Sequence, residues 1–116
     1  MALLIDTAGG PTPLLDTHLQ AVEILRDPSH IRDYSTQEWL VLFANAGFTA
    51  NARKEWPVKI EFCGWVERQR TSPERIAAIH ALWGAAPDEV RAFFEAQPDS
   101  SFTLQKVLIA ASARAE

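Results

Sequence analysis

Four polar side chains fall within five residues of one another: His30, Arg32, Asp33 and Tyr34. An imidazole can exchange protons near neutral pH, a guanidinium grips carboxylates and other anions, and a phenol both donates and accepts hydrogen bonds. The segment therefore has two readings. It is a loop that contacts a small molecule, or a structured connection in which Arg32 and Asp33 fix the approach to the next helix. Asp6 follows an apolar run, Ala2-Leu3-Leu4-Ile5, and so falls at the carboxyl end of a strand, where open α/β sheets place ligand-contacting groups. A local cap is the competing role for that carboxylate. His18 and His80 lie on apolar helix shoulders and read as partly buried packing residues. Three histidines without HxH or HxxxH spacing, and a single cysteine, leave no metal signature. Cys63 has no neighbouring base in the sequence and reads as a buried, inert thiol.

The chain that must position these groups has 116 residues and a mass of 12.9 kDa, the size of one domain spanning residues 1–116. Hydrophobic residues make up 47% and charged residues 22%, which is globular rather than disordered composition. A formal charge of -4 argues against nucleic acid or acidic lipid as a partner held by bulk charge. No apolar run approaches the ~18 residues of a membrane span, and no basic n-region of a signal peptide precedes the first apolar run. The expectation is a cytoplasmic chain without membrane contact.

Ala2–Ile5 is apolar on both faces and reads as a strand covered on both sides, closed by a Gly9-Gly10-Pro11 turn. Thr12-Pro13 opens a helix whose Leu15, Leu19 and Val22 share a face, and Pro28 ends it near Arg26. Ser35-Thr36-Gln37-Glu38 is a capping box for a helix lined by Trp39, Leu42, Phe43 and Ala46, with Gly47 as its left-handed terminator. The period then changes to two. Phe48, Ala50, Ala52, Trp56, Val58, Ile60 and Phe62 alternate with polar residues, Lys54 being the single violation, and read as a strand buried on one face. Pro57 assigns that strand to a sheet edge or a bulge. Short helices follow at Trp65–Arg70, after Ser72-Pro73 and after Pro87-Asp88-Glu89. Phe102–Ala111 is a last strand, apolar on both faces and therefore central.

This order predicts an α/β chain (α+β when taken alone). Its sheet is three-stranded and mixed, with parallel outer strands, a central antiparallel last strand and helices packed on it. The first strand is then an edge despite its interior composition, so either another chain covers it or the sheet is part of a larger one. Pairing of two copies through Ala2–Asp6, as a homodimer, follows from the first alternative.

Leu4-Ile5-Asp6, the run Asp27-Pro28-Ser29-His30-Ile31-Arg32-Asp33-Tyr34, and Glu38-Trp39 through Ala46-Gly47-Phe48 resemble the C-terminal half of class I S-adenosylmethionine-dependent methyltransferases. The similarity is to the small-molecule branch typified by ubiquinone and menaquinone methyltransferases, whose Rossmann-like sheet ends in the order five, seven, six. The resemblance implies an acceptor-side portion with the N-terminal cofactor-binding half absent. It implies S-adenosylmethionine as the cofactor of the full-length family, and a small-molecule acceptor contacted by His30, Arg32, Tyr34, Asp6 and Trp65. Within it, His30 is a base or substrate contact and Arg32 or Tyr34 a hydrogen-bonding partner. Trp65 and Trp83, with Phe93 and Phe94, either line an apolar pocket or pack the helical insertion onto the sheet. The chain has five glycines and no glycine-rich GxGxG turn, so no cofactor-binding residue is assigned in it and activity alone is not expected. The alternative is a non-enzymatic, dimeric α+β module that binds an apolar ligand or a partner protein.

Overall fold

A computed structural model describes residues 1–114. In chain order the elements are β1 (Ala2–Ala8), α1 (Pro13–Arg26), α2 (Thr36–Asn45), β2 (Phe48–Ile60), α3 (Phe62–Arg68), α4 (Pro73–Ala85), α5 (Asp88–Phe93) and β3 (Phe102–Ala113). The sheet runs β1-β3-β2, with β3 antiparallel to both neighbours. The outer strands thus run in the same direction, as expected. Because they do not touch, however, both ladders are antiparallel, and the three strands form an antiparallel rather than a mixed sheet.

Local chemistry places the helices. Thr12 Oγ1 accepts from the Leu15 amide ahead of Pro13, and Ser35 and Glu38 close a reciprocal capping box. Gly47 ends α2 with φ +92, a conformation that costs a residue with a Cβ. The core forms where α1, α3, α4 and α5 gather over one end of β3. Leu19, Val22, Ile79 and Val90 are fully buried against Trp83, Phe94, Phe102 and Leu104. Helix α2 stands apart. It packs mainly on β2, through Trp39, Phe43 and Phe48, and none of its residues is buried.

Four sequence expectations change. First, β1 is not covered on both sides: Leu3 is 67% and Ile5 62% exposed. Second, β2 does not bury one face throughout. Ala52 pairs with Ile109 while Lys54 pairs with Leu108, so Arg53 is the extra residue of a bulge. Directly paired residues share a face, and the bulge therefore puts Phe48, Ala50 and Ala52 on one side and Trp56, Val58 and Ile60 on the other. Lys54, the apparent violation, marks the switch. Third, Phe62 leaves the strand and enters α3 at 3% exposure, while Glu61 accepts from the Gly64 amide as its cap. Fourth, Cys63 is exposed, and so is His80.

Candidate functional site

The His30–Tyr34 segment is held between the end of β1 and the flank of α1. The Gly9 amide donates to the Tyr34 carbonyl at 2.8 Å. A Cβ on Gly9 would collide with the Asp33 carbonyl oxygen, and one on Gly10 would lie 2.5 Å from the Leu15 carbonyl carbon. The glycine pair is therefore more than the turn expected from the sequence, because it allows β1, α1 and the loop to touch through their backbones. Asp27 opens the loop as an Asx turn, its Oδ1 accepting from the Ser29 amide and hydroxyl at 3.0 and 2.7 Å.

Gln20, on α1, organises the interior of the segment. Its Nε2 donates to Asp16 Oδ1 and to the Asp33 carbonyl, both at 3.0 Å, and its Oε1 accepts from the Asp33 amide at 3.1 Å. These three partners fix which end of the amide is oxygen. That oxygen also lies 2.8 Å from His30 Nε2, so Nε2 carries a proton and Nδ1 is the ring nitrogen left for other partners. Nδ1 lies 3.8 Å from Glu23 Oε2, and Nε2 lies 3.7 Å from Asp33 Oδ2.

Burial decides the charge of this group. Desolvation, followed by the charge of Asp33, pushes the Glu23 carboxyl up to about 8, whereas Arg26 and Lys106 pull it down. Burial also raises Asp33, with His30 opposing the shift and Asp6 adding to it. Two buried carboxyls this near cannot both ionise cheaply, so at neutral pH Glu23 is the protonated member. The proton that Glu23 retains is shared with Asp33 in a side-chain hydrogen bond between the two buried carboxyls. Ligating atoms of Glu23, His30 and Asp33 all lie within 4.8 Å of one another.

The remaining predicted residues divide. Asp6 is half-buried two residues before the end of β1, close enough for its charge to raise Asp33, and its Oδ1 accepts from the Thr7 amide at 2.7 Å. Arg32 is exposed and ties α1 to α2, its Nη2 standing 3.2 Å from Asp16 and 3.0 Å from Glu38. Tyr34 packs edge-on against Trp39 at 5.1 Å and lines an apolar recess of about 250 Å³ with Val41 and Leu42. A second cavity, about 380 Å³, opens at the end of β1 between Gly9, Ser35, Gln37, Phe93, Phe94 and Gln105. Trp65 is 4% exposed in the helical core, with the Arg26 guanidinium 4.4 Å over its ring and Phe102 5.1 Å away. It stands in the packing rather than beside His30. His18 is also buried, 4.4 Å from the Trp83 ring.

Sequence reasoning missed Gln20, Glu23 and Lys106. A signal was present for the first two: Asp16, Gln20 and Glu23 recur at i, i+4, i+7, a polar stripe beside the apolar stripe of the same helix. Lys106, in the midst of an apolar strand, lies on the same sheet face as Leu104 and Leu108 and turns its charge toward the two carboxyls.

No protein-family model matches this chain. It is similar to an uncharacterised Escherichia coli K12 protein, YafE, with 35% identity over 92% of this chain and 52% of the relative. It is also similar to YcgJ of Bacillus subtilis 168, named an uncharacterised methyltransferase, with 32% identity over 92% of this chain and 44% of the relative. The crystal structure of the Bacillus subtilis YcgJ protein superposes with a TM-score of 0.91 at 29% identity, covering 98% of this chain and 51% of the other. A structure from Bacillus halodurans C-125, provisionally assigned as a methyltransferase, superposes at 0.87 with 24% identity over 94% of this chain and 49% of the other. The chain spans about half the length of the relatives it matches. Over that half it has the fold of the Bacillus subtilis YcgJ protein and of the Bacillus halodurans structure provisionally assigned as a methyltransferase.

Proposed function

We propose that this chain is the acceptor-side, C-terminal portion of an S-adenosylmethionine-dependent methyltransferase acting on a small molecule, and that it needs a cofactor-binding portion to be active. One observation carries the reading. The chain, with its order β1-β3-β2 and antiparallel central strand, superposes at a TM-score of 0.91 on half of YcgJ, which is named an uncharacterised methyltransferase.

The residues present do not fit the cofactor by themselves. A glycine turn that cradles a ligand leaves room for it, whereas Gly9 and Gly10 are closed by the Asp33 carbonyl and the Leu15 backbone of this chain. What the chain offers is the acceptor side. The cavity at the end of β1 combines an apolar wall of Phe93 and Phe94 with the polar side chains of Ser35, Gln37, Glu55 and Gln105, a mixed lining that a small polar molecule could use, and Gly9 and Ser35 connect its rim to the His30–Tyr34 loop. The loop's polar atoms are largely engaged within the protein, so its role is to hold Tyr34 and the rim of α2 in place.

The sheet edge supports the need for a partner. The exposed Leu3 and Ile5 stand on a strand hydrogen-bonded on one side only. The chain measures 53 × 29 × 20 Å with a radius of gyration of 15.7 Å, against about 13 Å for a compact domain of this length. A flat, open body with an apolar edge fits a surface made to be covered. A cofactor-binding portion is the first candidate to cover it. A second copy, pairing across Ala2–Asp6 as a non-enzymatic module would, is the other.

Calorimetry of the chain alone with S-adenosylmethionine should give no binding, and sedimentation should show whether the edge is self-paired. Micromolar cofactor binding at one site per chain would overturn the requirement for a second portion. A stable dimer that neither binds cofactor nor transfers a methyl group when a relative's cofactor half is supplied would favour the module.

A further inference from the structure

We infer that the cavity at the end of β1 takes an acceptor that carries a positive charge, a small organic ammonium ion whose head group is held by Glu55. The inference rests on the reading of this chain as the acceptor side of a methyltransferase, and it narrows the molecules that side admits. Among the described residues that line the cavity, Glu55 alone is charged, and no lysine, arginine or histidine joins it.

The bulge in β2 is what brings this carboxylate to the cavity. Glu55 pairs with Val107 and Ala52 with Ile109, so both stand on the face of the sheet that carries Ala8 and Gln105. Without the inserted Arg53, Lys54 would pair with Val107 and a cation would occupy that face. The extra residue thus exchanges a lysine for a glutamate at the cavity floor, the kind of re-aiming for which bulges are used beside binding sites. Asp6 pairs with the same Val107 from the other side and adds a second carboxylate to the row. Lys59, on the same face, lies about 13 Å further along the strand in a separate recess with Glu95. Arg53 itself is exposed and does not line the cavity.

The other groups suit the same class of ligand. Glu55 Oε1 accepts from the Thr36 hydroxyl, which fixes the carboxylate against the start of α2 and leaves Oε2 for a ligand. Phe93, 41% exposed, packs edge-on against Phe94 in the opposite wall, and an accessible aromatic ring attracts an ammonium ion while covering its carbon skeleton. Gln37 and Gln105 supply amide oxygens that accept N–H bonds. The positive end of α2 also reaches the cavity, but Glu38 meets it within the chain by closing the capping box. A carboxylate, an aromatic ring and amide oxygens attract organic cations and disfavour carboxylates and phosphates.

The test compares three probes of one size, 2-phenylethylamine, 2-phenylethanol and phenylacetate, titrated to millimolar concentration into the unaltered chain at neutral pH and followed by amide NMR shifts. The amine should bind about three- to tenfold more tightly than the alcohol, with phenylacetate weakest, and the shifts should centre on Glu55, Phe93 and the start of α2. Glu55→Gln, at an exposed position, keeps an acceptor for Thr36 and should bring the amine down to the affinity of the alcohol. His80→Asn, which lies outside this cavity, should change nothing. Phenylacetate binding as well as the amine, shifts centred elsewhere, or no shift with any probe would overturn the assignment. Failure of the acceptor-side reading would show separately, as a chain that binds the amine here yet methylates nothing when a cofactor-binding portion is supplied.

Discussion

Replacing Glu23 with glutamine removes one ionisable proton from a buried site while keeping shape and an acceptor oxygen. In the folded protein burial and Asp33 raise the carboxyl from 4.5 to about 8, so between those values the native state binds a proton that the unfolded chain does not. The stabilisation from this neutral carboxyl is fully present below about pH 4.5, falls as pH rises, and is lost above about 8. Its slope is at most about 1.4 kcal/mol per pH unit, and the whole interval amounts to at most about 4–5 kcal/mol. Because Asp33 is raised by the same burial and shares the proton, half of that range is the better expectation, about 2–3 kcal/mol. The glutamine variant does not lose this stability. Urea unfolding followed by fluorescence of the four tryptophans, in chelator from pH 5 to pH 9, yields the difference between the two proteins at each pH. That difference isolates Glu23 from His18, whose lowered pKa acts in the opposite sense by removing stability as pH falls. The variant should gain on the parent steadily with pH and be the more stable at pH 8.5. Parallel stability curves would refute the protonated carboxyl.

Other substitutions test separate parts of the structure. Gly9→Ala forces a Cβ onto the Asp33 carbonyl and should cost about 1–3 kcal/mol in urea unfolding, whereas an unchanged midpoint would show that β1 and the loop are not in contact. Trp65→Ala empties the space between Arg26 and Phe102 and should cost about 3–5 kcal/mol, a much smaller loss indicating a pocket-lining ring. Ile5→Lys falls on an exposed position and should change the stability of a single chain by less than about 0.5 kcal/mol while lowering the sedimentation coefficient if β1 is self-paired. Tyr34→Phe, assayed in an enzyme completed by a cofactor-binding portion, should change turnover or acceptor KM more than melting temperature. A loss of melting temperature alone would leave Tyr34 only its packing against Trp39.

What could be read from the sequence was whatever depends on neighbours along the chain. The caps at Thr12, Ser35 and Ser72 and the terminator Gly47 are local hydrogen-bond and torsional requirements, and each stands where the residues place it. The central position of β3 was legible as well, because a strand buried on both faces needs apolar residues on both. The β2 bulge was harder. The alternation breaks only at Lys54 and resumes in phase at Trp56, yet the face changes at Arg53, and a two-residue period cannot tell an inserted residue from one polar substitution when the next apolar group keeps its parity.

The polar site shows the same limit more sharply. His30 and Asp33 drew notice because they are adjacent in sequence, but their environment depends on Gln20 and Glu23 from the preceding helix and on Lys106 from the last strand. None of those contacts has a spacing rule, since a helix face can turn toward many partners. Pairing became specific only once Gly9 and Gly10 let three backbones close together, which brought the polar stripe of α1 over the loop. Arg32 illustrates the converse: its type suggested anion recognition, and the fold uses that charge on Asp16 and Glu38 of its own helices. A charged residue in a polar loop therefore identifies chemistry only after the demands of its own chain are met, and here even the two buried carboxyls, Glu23 and Asp33, meet theirs by sharing a proton.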